Sequence, residues 1–369
     1  MIRIAIIGAS YLQLPLVKKA KEMGLETHCF AWDEGAVCKD FVDFFYPISI
    51  LEKELILEVC RNKSIDGIVS IASDAAVPTV NFVANELGLI SNLYSDALVC
   101  TNKFEMRKRF MEYSVKCPRF ILSDENIEHV ELRYPVIIKP VDRSGSRGVT
   151  KVYDQDELQA AINRAESESF SGNVIIEEYI TGSEVSVETI SWEGEHYILA
   201  ITDKETTGEP YFVELAHHQP SSLPESIINK IKFETIKSLD ALSIKYGASH
   251  AEFKITNEGE VFAIETGARM GGDFIGSDLV RLSTGFDFVK AVIDVALGKF
   301  EAPDILYQKF SGVYFLSAET SRLLSVFESN VDADWLIDKE LTEMDLKEIK
   351  CSADRSGFII YQSDHKIVL

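Results

Sequence analysis

The chain has 369 residues, with 37 basic and 59 acidic side chains and a formal net charge of −22. Apolar residues make up 46% and charged residues 26%, a globular composition with room for two or three domains. A charge of −22 repels phosphate backbones and argues against nucleic acid as a partner. No run of about 18 apolar residues exists, so no membrane span is expected. Met1–Gly8 turns polar too soon to be a signal peptide. The six cysteines (Cys29, Cys38, Cys60, Cys100, Cys117 and Cys351) show no Cys-x-x-Cys spacing. Reduced cytoplasmic thiols, mostly in the core, are expected.

The first hundred residues alternate short apolar runs with helical patterns. Arg3–Ile7 reads as a buried strand, Leu12–Met23 as a helix stopping at Gly24, and Thr27–Trp32 as a second strand. Leu51–Lys63 follows as a helix, Gly67–Ile71 as a strand and Val77–Leu87 as a helix stopping at Gly88. This alternation implies a parallel sheet with right-handed crossovers. Ser91–Thr101 reads as a connector. From Asn102 the rhythm changes. Helix Asn102–Tyr113 has Asn102 or Thr101 as its cap. Strands follow at Pro135–Lys139 and Gly148–Tyr153, then helix Asp156–Ala165, then strands Asn173–Tyr179, Glu184–Trp192 and His196–Asp203. Glu225–Tyr246 is the longest helical stretch. Strands Ser249–Ile255 and Val261–Thr266 form a hairpin about Asn257-Glu258-Gly259, and helix Asp287–Leu297 stops at Gly298. Strands clustered between helices imply α+β layers. Pro303 opens a last segment. Within it, Glu328–Glu348 carries eight acidic and two basic side chains and reads as a solvated helical face.

Several clusters carry chemistry. Gly8-Ala9-Ser10-Tyr11-Leu12-Gln13 follows the first strand as a dinucleotide fingerprint would, but two of its three glycines are missing, so a tight turn is expected. The run Asp142–Val149 between two strands is sharper. Its small residues Ser144, Gly145, Ser146 and Gly148 let backbone N–H groups close over phosphate oxygens, with Arg143 and Arg147 adding charge. Lys139 interrupts the buried strand before it, and a buried cation needs an anionic partner. Glu177, Glu178, Tyr179, Ile180 and Glu184 mark an apolar strand ending in carboxylates. Alternation puts His250, Glu252 and Lys254 on one face of a strand, with Glu265, Gly267 and Arg269 on one face of its partner. Two converging carboxylates need a cation between them, and Mg²⁺ takes few protein oxygens. Gly271 and Gly272 leave an open backbone after Arg269. The run Glu214–Ser221, with Glu214, His217 and His218, reads as a loop that recognises a carboxylate or amine, with satisfied structural histidines as the equal alternative. The two histidines project oppositely in a strand, which disfavours a metal pair.

Lys103, Lys139, the Ser144–Gly148 loop, Glu177 to Glu184, Glu252 and Glu265–Arg269 occur in the order and rough spacing of the ATP-grasp superfamily, which the chain resembles over about residues 1–300. His250-x-Glu252, Glu214–Pro220 and Arg269–Asp273 resemble the carboxylate–amine ligase branch. The fold class implied is α/β and α+β: a Rossmann-like parallel-sheet domain (1–98), a two-subdomain ATP-grasp domain (99–300, with a mobile lid about 115–180), and a small C-terminal α+β segment (301–369). The resemblance implies ATP binding by Lys103, Lys139, Ser144, Gly145, Ser146, Gly148, Glu177, Glu178, Tyr179, Ile180 and Glu184. It places Mg²⁺, or Mn²⁺ in its stead, on Glu252 and Glu265. Catalytic groups would be Lys139, Arg147 and Arg269, and substrate contacts Glu214, His217, His218, His250, Arg269, Gly271 and Gly272. Gly267 departs from the family, which usually has Asn there.

The activity implied is ATP-dependent amide formation between a small carboxylate and an amine, amino-acid-like, with ADP and phosphate released. A bicarbonate-using carboxylase or carbamoyl-phosphate-synthase-like enzyme is the alternative, as is a non-catalytic ATP-binding module. The expected partners are small molecules. A homodimer is compatible with the resemblance, and the expected location is the cytoplasm.

Overall fold

The structure is a computed structural model that describes residues 1–123, 133–328 and 333–369. The stretch 124–132 of the expected lid and residues 329–332 of the acidic run lie outside the described residues. Three sheets carry the fold. The first is parallel, in the order β3-β2-β1-β4, from β1 (Arg3–Ile7), β2 (Glu26–Phe30), β3 (Phe44–Tyr46) and β4 (Gly67–Val69). Strand β1 is apolar from Ile4 to Ile7 because both of its faces are covered. Ile4 and Ile6 pack with helices Leu14–Glu22 and Phe288–Ala296, through Leu16, Val17, Val292 and Ile293. Ala5 and Ile7 pack on the other side with helices Lys53–Lys63 and Val77–Leu87, through Ile56, Leu57, Val83 and Ala84. The crossover turn after β1 is filled by Gln13. Its Oε1 accepts from the Ser10 N–H at 3.0 Å and the Ser10 hydroxyl at 2.7 Å. A Cβ on Gly8 would come 3.0 Å from the Gln13 side chain, so the turn is tight and occupied, as its missing glycines imply.

The second sheet is antiparallel, in the order β5-β8-β6-β7, from β5 (Phe120–Leu122), β6 (Val136–Pro140), β7 (Thr150–Val152) and β8 (Val174–Glu178). Helix Gln155–Glu168, capped by Asp154, covers one of its faces with Leu158, Ala161, Ile162 and Ala165. The third sheet has eight strands in the order β13-β12-β9-β10-β11-β14-β16-β15. They are β9 (Ser183–Trp192), β10 (Glu195–Thr206), β11 (Glu214–Gln219), β12 (Gly247–Ile255), β13 (Val261–Gly267), β14 (Phe310–Leu316), β15 (Leu336–Leu341) and β16 (Gly357–Ser363). Strand β14 pairs with β11, so residues after 300 continue this sheet. Helix Lys103–Glu112 starts at Asn102, whose side chain accepts from the Phe104 and Glu105 N–H groups.

Four expectations need correction. Residues Tyr94–Cys100 form a helix, where a connector was expected; a seven-residue helix is too short to show a full apolar period. Helix Glu225–Ala241 ends before Tyr246, because Ser243 adopts φ of +55° and breaks the right-handed turn. Glu214–Gln219 is a strand with both histidines inside it. The acidic run holds a strand, β15, instead of a helix. That strand closes the sheet edge, and charges are common on edges because they oppose pairing with another chain. Among the described residues no helix is long and apolar enough to cross a membrane. All six cysteines are free. Burial pushes the thiols of Cys29, Cys38, Cys60 and Cys100 up to about 12, which leaves them as inert core residues.

Sheets two and three meet at Gly182, with φ of +152°. A Cβ there would lie 1.9 Å from the Ile255 carbonyl oxygen, a backbone atom that cannot step aside. The expected outcome for Gly182→Ala is a loss of about 2 kcal/mol or more, seen as a lower thermal midpoint by circular dichroism.

Candidate active site

Strands β12 and β13 pair His250 with Gly267 and Glu252 with Glu265. Alternation then aims His250, Glu252, Lys254 and Glu265 to one side, while Ala251, Phe253 and Ile255 enter the core. That side faces sheet two across an open cavity of about 1180 Å³. Of the expected residues, the cavity is lined by Lys103, Lys139, Ser144, Gly145, Ser146, Arg147, Glu177, Glu178, Tyr179, Ile180, Glu184, Glu214, His250, Glu252, Glu265 and Arg269. Residues from a helix, two sheets and a hairpin thus converge on one space.

Most of these charges have a partner. Lys103, at the first turn of its helix, donates to the Arg143 carbonyl at 2.6 Å and to Glu265 Oε1 at 2.8 Å. It ties the small-residue loop to β13. The loop turns through left-handed Gly145, Ser146 and Gly148, and its base is pinned where Asp142 accepts from the Phe170 and Ser171 N–H groups. Arg143 is spent on the Phe170 ring, 3.8 Å away. Arg147 stays on the exposed tip. Glu184 Oε1 lies 2.9 Å from Lys204 and its Oε2 3.0 Å from Lys254.

Lys204 is the residue that the sequence reading missed and the site most depends on. It is 3% exposed, and its ammonium lies 2.8 Å from Glu252, 2.9 Å from Glu184 and 3.4 Å from Glu214. Burial disfavours its charge, yet the three carboxylates hold its pKa well above the ordinary value. Arg107, Asp74, Glu188 and Arg355 were missed as well. Arg107 lies one turn after Lys103 on the same helix face, which was a readable signal. Asp74 follows β4 at the carboxyl end of a parallel sheet, where such folds bind ligands. Glu188 and Arg355 carried no local signal.

Lys139 finds its anion inside the protein: Glu177 Oε2 lies 2.6 Å from its ammonium. Arg107, fully buried, sits 2.6 Å from the other Glu177 oxygen. Burial lowers the Lys139 pKa, against the pull of Glu177. The Glu177 carboxylate is therefore committed to two cations of the protein, where a contact to ATP was expected of it. Replacing Glu177 by Gln leaves two buried cations without an anion and is expected to cost about 3 kcal/mol or more, read as a lower denaturation midpoint.

Glu188, fully buried, takes His250 Nδ1 as a close partner and accepts from the Gly271 N–H at 3.0 Å. His250 Nε2 stands 3.3 Å from Glu252. Burial works against a charged ring, but Glu188 and Glu252 more than offset it and raise the His250 pKa to about 9. The stabilisation from protonated His250 is complete below its ordinary 6.5 and fades as pH rises through 9. The stability gap between the protein and His250→Gln is therefore expected to narrow between pH 6.5 and 9.5, as measured by urea denaturation.

Other expected residues lie elsewhere. His218 is buried between the Tyr361 hydroxyl, at 2.9 Å, and Glu205, at 3.1 Å, away from the cavity. His217 is 1% exposed and 3.9 Å from Asp273, with its pKa lowered by burial. It backs the wall and does not line it. Strand alternation sends the two rings to opposite faces. Gly271 and Gly272 face a separate small cavity with Tyr11 and Phe274. Gly148 packs on Pro140, which a Cβ would meet at 2.9 Å. Arg355, from the segment after 300, donates to Asp273 at 2.7 Å and to the Glu214 carbonyl at 2.9 Å. Arg269 makes a two-point pair with Asp74, both bonds 2.9 Å.

A divalent cation was expected on Glu252 and Glu265. The two carboxylates stand opposite each other on adjacent strands at the cavity wall, which suits a hard cation that takes its other oxygens from phosphates and water. Among the described residues no group of three or more His, Cys, Asp or Glu is placed to hold a metal, so a protein-only cage is not what this site offers.

Comparisons with known proteins bear on the fold. The family model of the ATP-grasp domain matches residues 132–278. The chain is similar to alanine–anticapsin ligase of Bacillus subtilis, 26% identical over 294 residues, which cover 70% of this chain and 62% of that protein. It is 25% identical to the carbamoyl phosphate synthase large chain of Caldanaerobacter subterraneus subsp. tengcongensis over 304 residues, covering 79% of this chain and 28% of the other. The match thus spans less than two thirds of either relative. Among solved structures, the L-amino acid ligase from Bacillus licheniformis superposes with a TM-score of 0.81 at 22% identity, covering 99% of this chain and 94% of that one. The phosphoribosylglycinamide synthetase from Anaerococcus prevotii gives 0.79 at 20% identity, with the same coverage. The fold is that of the ATP-grasp proteins. The ATP-grasp domain match itself covers residues 132–278 of the chain.

Proposed function

We propose that the protein is an ATP-dependent carboxylate–amine ligase acting on amino-acid-like substrates. One observation carries the reading: two lysines, a small-residue loop, opposed carboxylates and a fixed arginine all line a single cavity. In this reading residues 1–98 form an N-terminal unit, 99–300 hold the nucleotide with a lid about 115–180, and 301–369 complete one wall through Arg355.

The triphosphate lies between sheet two and the β12–β13 hairpin. Lys103 and Lys139 face its oxygens, and backbone N–H groups of Ser144–Arg147 close over them. Tyr179 and Ile180 flank the base, and Glu184 accepts from the ribose hydroxyls. A Mg²⁺ held by Glu252, Glu265 and phosphate oxygens supplies charge neutralisation when bound. A substrate carboxylate oxygen attacks the γ-phosphorus in line, the bond to ADP breaks, and an acyl phosphate forms. The amine nitrogen then attacks the acyl carbon, phosphate leaves with the bonding pair, and the amine loses a proton. Phosphoryl transfer needs positioning and charge stabilisation more than covalent help. Arg269 and Arg147 provide donors for the transferring group. Closure of sheet two excludes water, which would hydrolyse the acyl phosphate.

Measured ADP and phosphate release over panels of acids and amines is expected to depend on both substrates. Turnover that depends on bicarbonate alone, or binding of ATP without release, would overturn the reading. Lys139→Ala and Glu265→Ala are expected to reduce turnover by at least about 100-fold while circular dichroism stays unchanged. Removal of Mg²⁺ with a chelator is expected to abolish turnover, and added Mg²⁺ to restore it.

A further inference from the structure

Asp74 lies outside every motif read from the sequence. It sits on the short turn after β4. That turn is fastened at two points. The Ala72 N–H donates to the Met270 carbonyl at 3.1 Å, and Gln13 Nε2 donates to the Ile71 carbonyl at 2.8 Å. Ala72 itself holds φ of +57°, a left-handed conformation that alanine adopts only where its surroundings fix it. The turn delivers Asp74 to the end of β13. There its two oxygens accept from Arg269 Nε and Nη2, each at 2.9 Å.

A guanidinium has five N–H donors in a plane. The Asp74 fork uses two, and Nη1 reaches the Met270 carbonyl at 3.4 Å. The other two are left on the edge of a residue that lines the cavity. Pairing by two parallel bonds fixes the plane as well as the distance. It also cancels the net charge of Arg269, so Arg269 acts by aimed donation and not as a bare cation. Gly267 is part of the same arrangement. A Cβ there would lie 2.8 Å from Asp74 Oδ1 and 3.4 Å from Arg269 Nε. Any side chain at 267 displaces the carboxylate.

We infer that Asp74 is a positioning residue that aims the Arg269 fork at the transferring phosphate, and that Gly267 lacks a side chain in order to admit it. The N-terminal sheet thereby takes part in the chemistry. The inference rests on the ligase reading for its phosphate, while the aiming of Arg269 can be tested without it.

The test compares Asp74→Ala, Gly267→Ala and the double variant Asp74→Ala/Gly267→Asp, which returns a carboxylate from the other side. In protein labelled with 15N-arginine, the Nε–H signal of Arg269 is identified by its loss in Arg269→Lys. Its solvent exchange is expected to quicken at least about tenfold in both single variants and to slow again in the double. Activity is read as hydroxamate formed from MgATP, the twenty common L-amino acids and hydroxylamine as the amine. Both single variants are expected to lose about 100-fold in kcat, the scale of a misplacement near 1 Å, and the double variant to recover at least about tenfold. The calorimetric Kd for MgADP is expected to stay within about threefold throughout, since no nucleotide contact is removed. Unchanged Arg269 exchange in Asp74→Ala, or full kcat in either single variant, overturns the inference. A wild-type protein that forms no hydroxamate while the exchange rates shift as stated overturns the ligase reading, and the aiming of Arg269 by Asp74 then stands on the exchange data alone.

Discussion

One buried ammonium holds the site together. Lys204 reaches Glu184, Glu252 and Glu214 at once, from three different strands of the large sheet. Without it, those carboxylates would repel one another across a partly desolvated cavity, and at least one would take up a proton. With it, the Glu184 and Glu252 carboxyls are held below the usual range in spite of burial. Glu252 is held well below the usual carboxylate range despite its burial, by Lys204 and by His250. In a chain with a net charge of −22, placing cations where the acids converge is the condition for having the cavity at all.

The same logic repeats around the wall. Glu177 stands between Lys139 and Arg107, Lys103 joins Glu265, and Arg355 joins Asp273 and Glu214. Most of these pairs link two structural units, so the charges fix geometry as well as compensate each other. Buried pairs of this kind add little net stability, because desolvation offsets their attraction. Their value lies in orientation. A polyanionic nucleotide entering such a lattice meets cations already held in place, and the reorganisation cost falls before binding and not during the reaction.

In the proposed ligase the reacting groups come from different pieces of the fold. Sheet two brings Lys139 and the small-residue loop. The β12–β13 hairpin brings the carboxylates and Arg269. The parallel sheet brings Asp74, through a turn clamped by Gln13 and Met270. Helix Phe288–Ala296 covers one face of the parallel sheet, so the N-terminal unit is packed onto the rest and not tethered to it. The C-terminal strands extend the large sheet and deliver Arg355. The sheets around the cavity are thus joined by packing and by ion pairs.

Alternation and spacing were enough to locate the parallel sheet, the hairpin faces and the loop after Lys139. These are local properties: period two decides which way Glu252 and Glu265 point, and small residues decide how the backbone turns. The facing of Glu252 and Glu265 followed once the hairpin register was set. The short strands β3 and β5 and the helix Tyr94–Cys100 were not legible, because such short elements take their shape from neighbours and not from their own period. Nor were the partners of the charged residues. Lys139 announced that it needed an anion, but that the anion is Glu177, and that Lys204, Asp74 and Arg355 complete the lattice, depends on contacts between residues far apart in the chain. Ion pairing is a property of position in space, and only the packing of three sheets decides it.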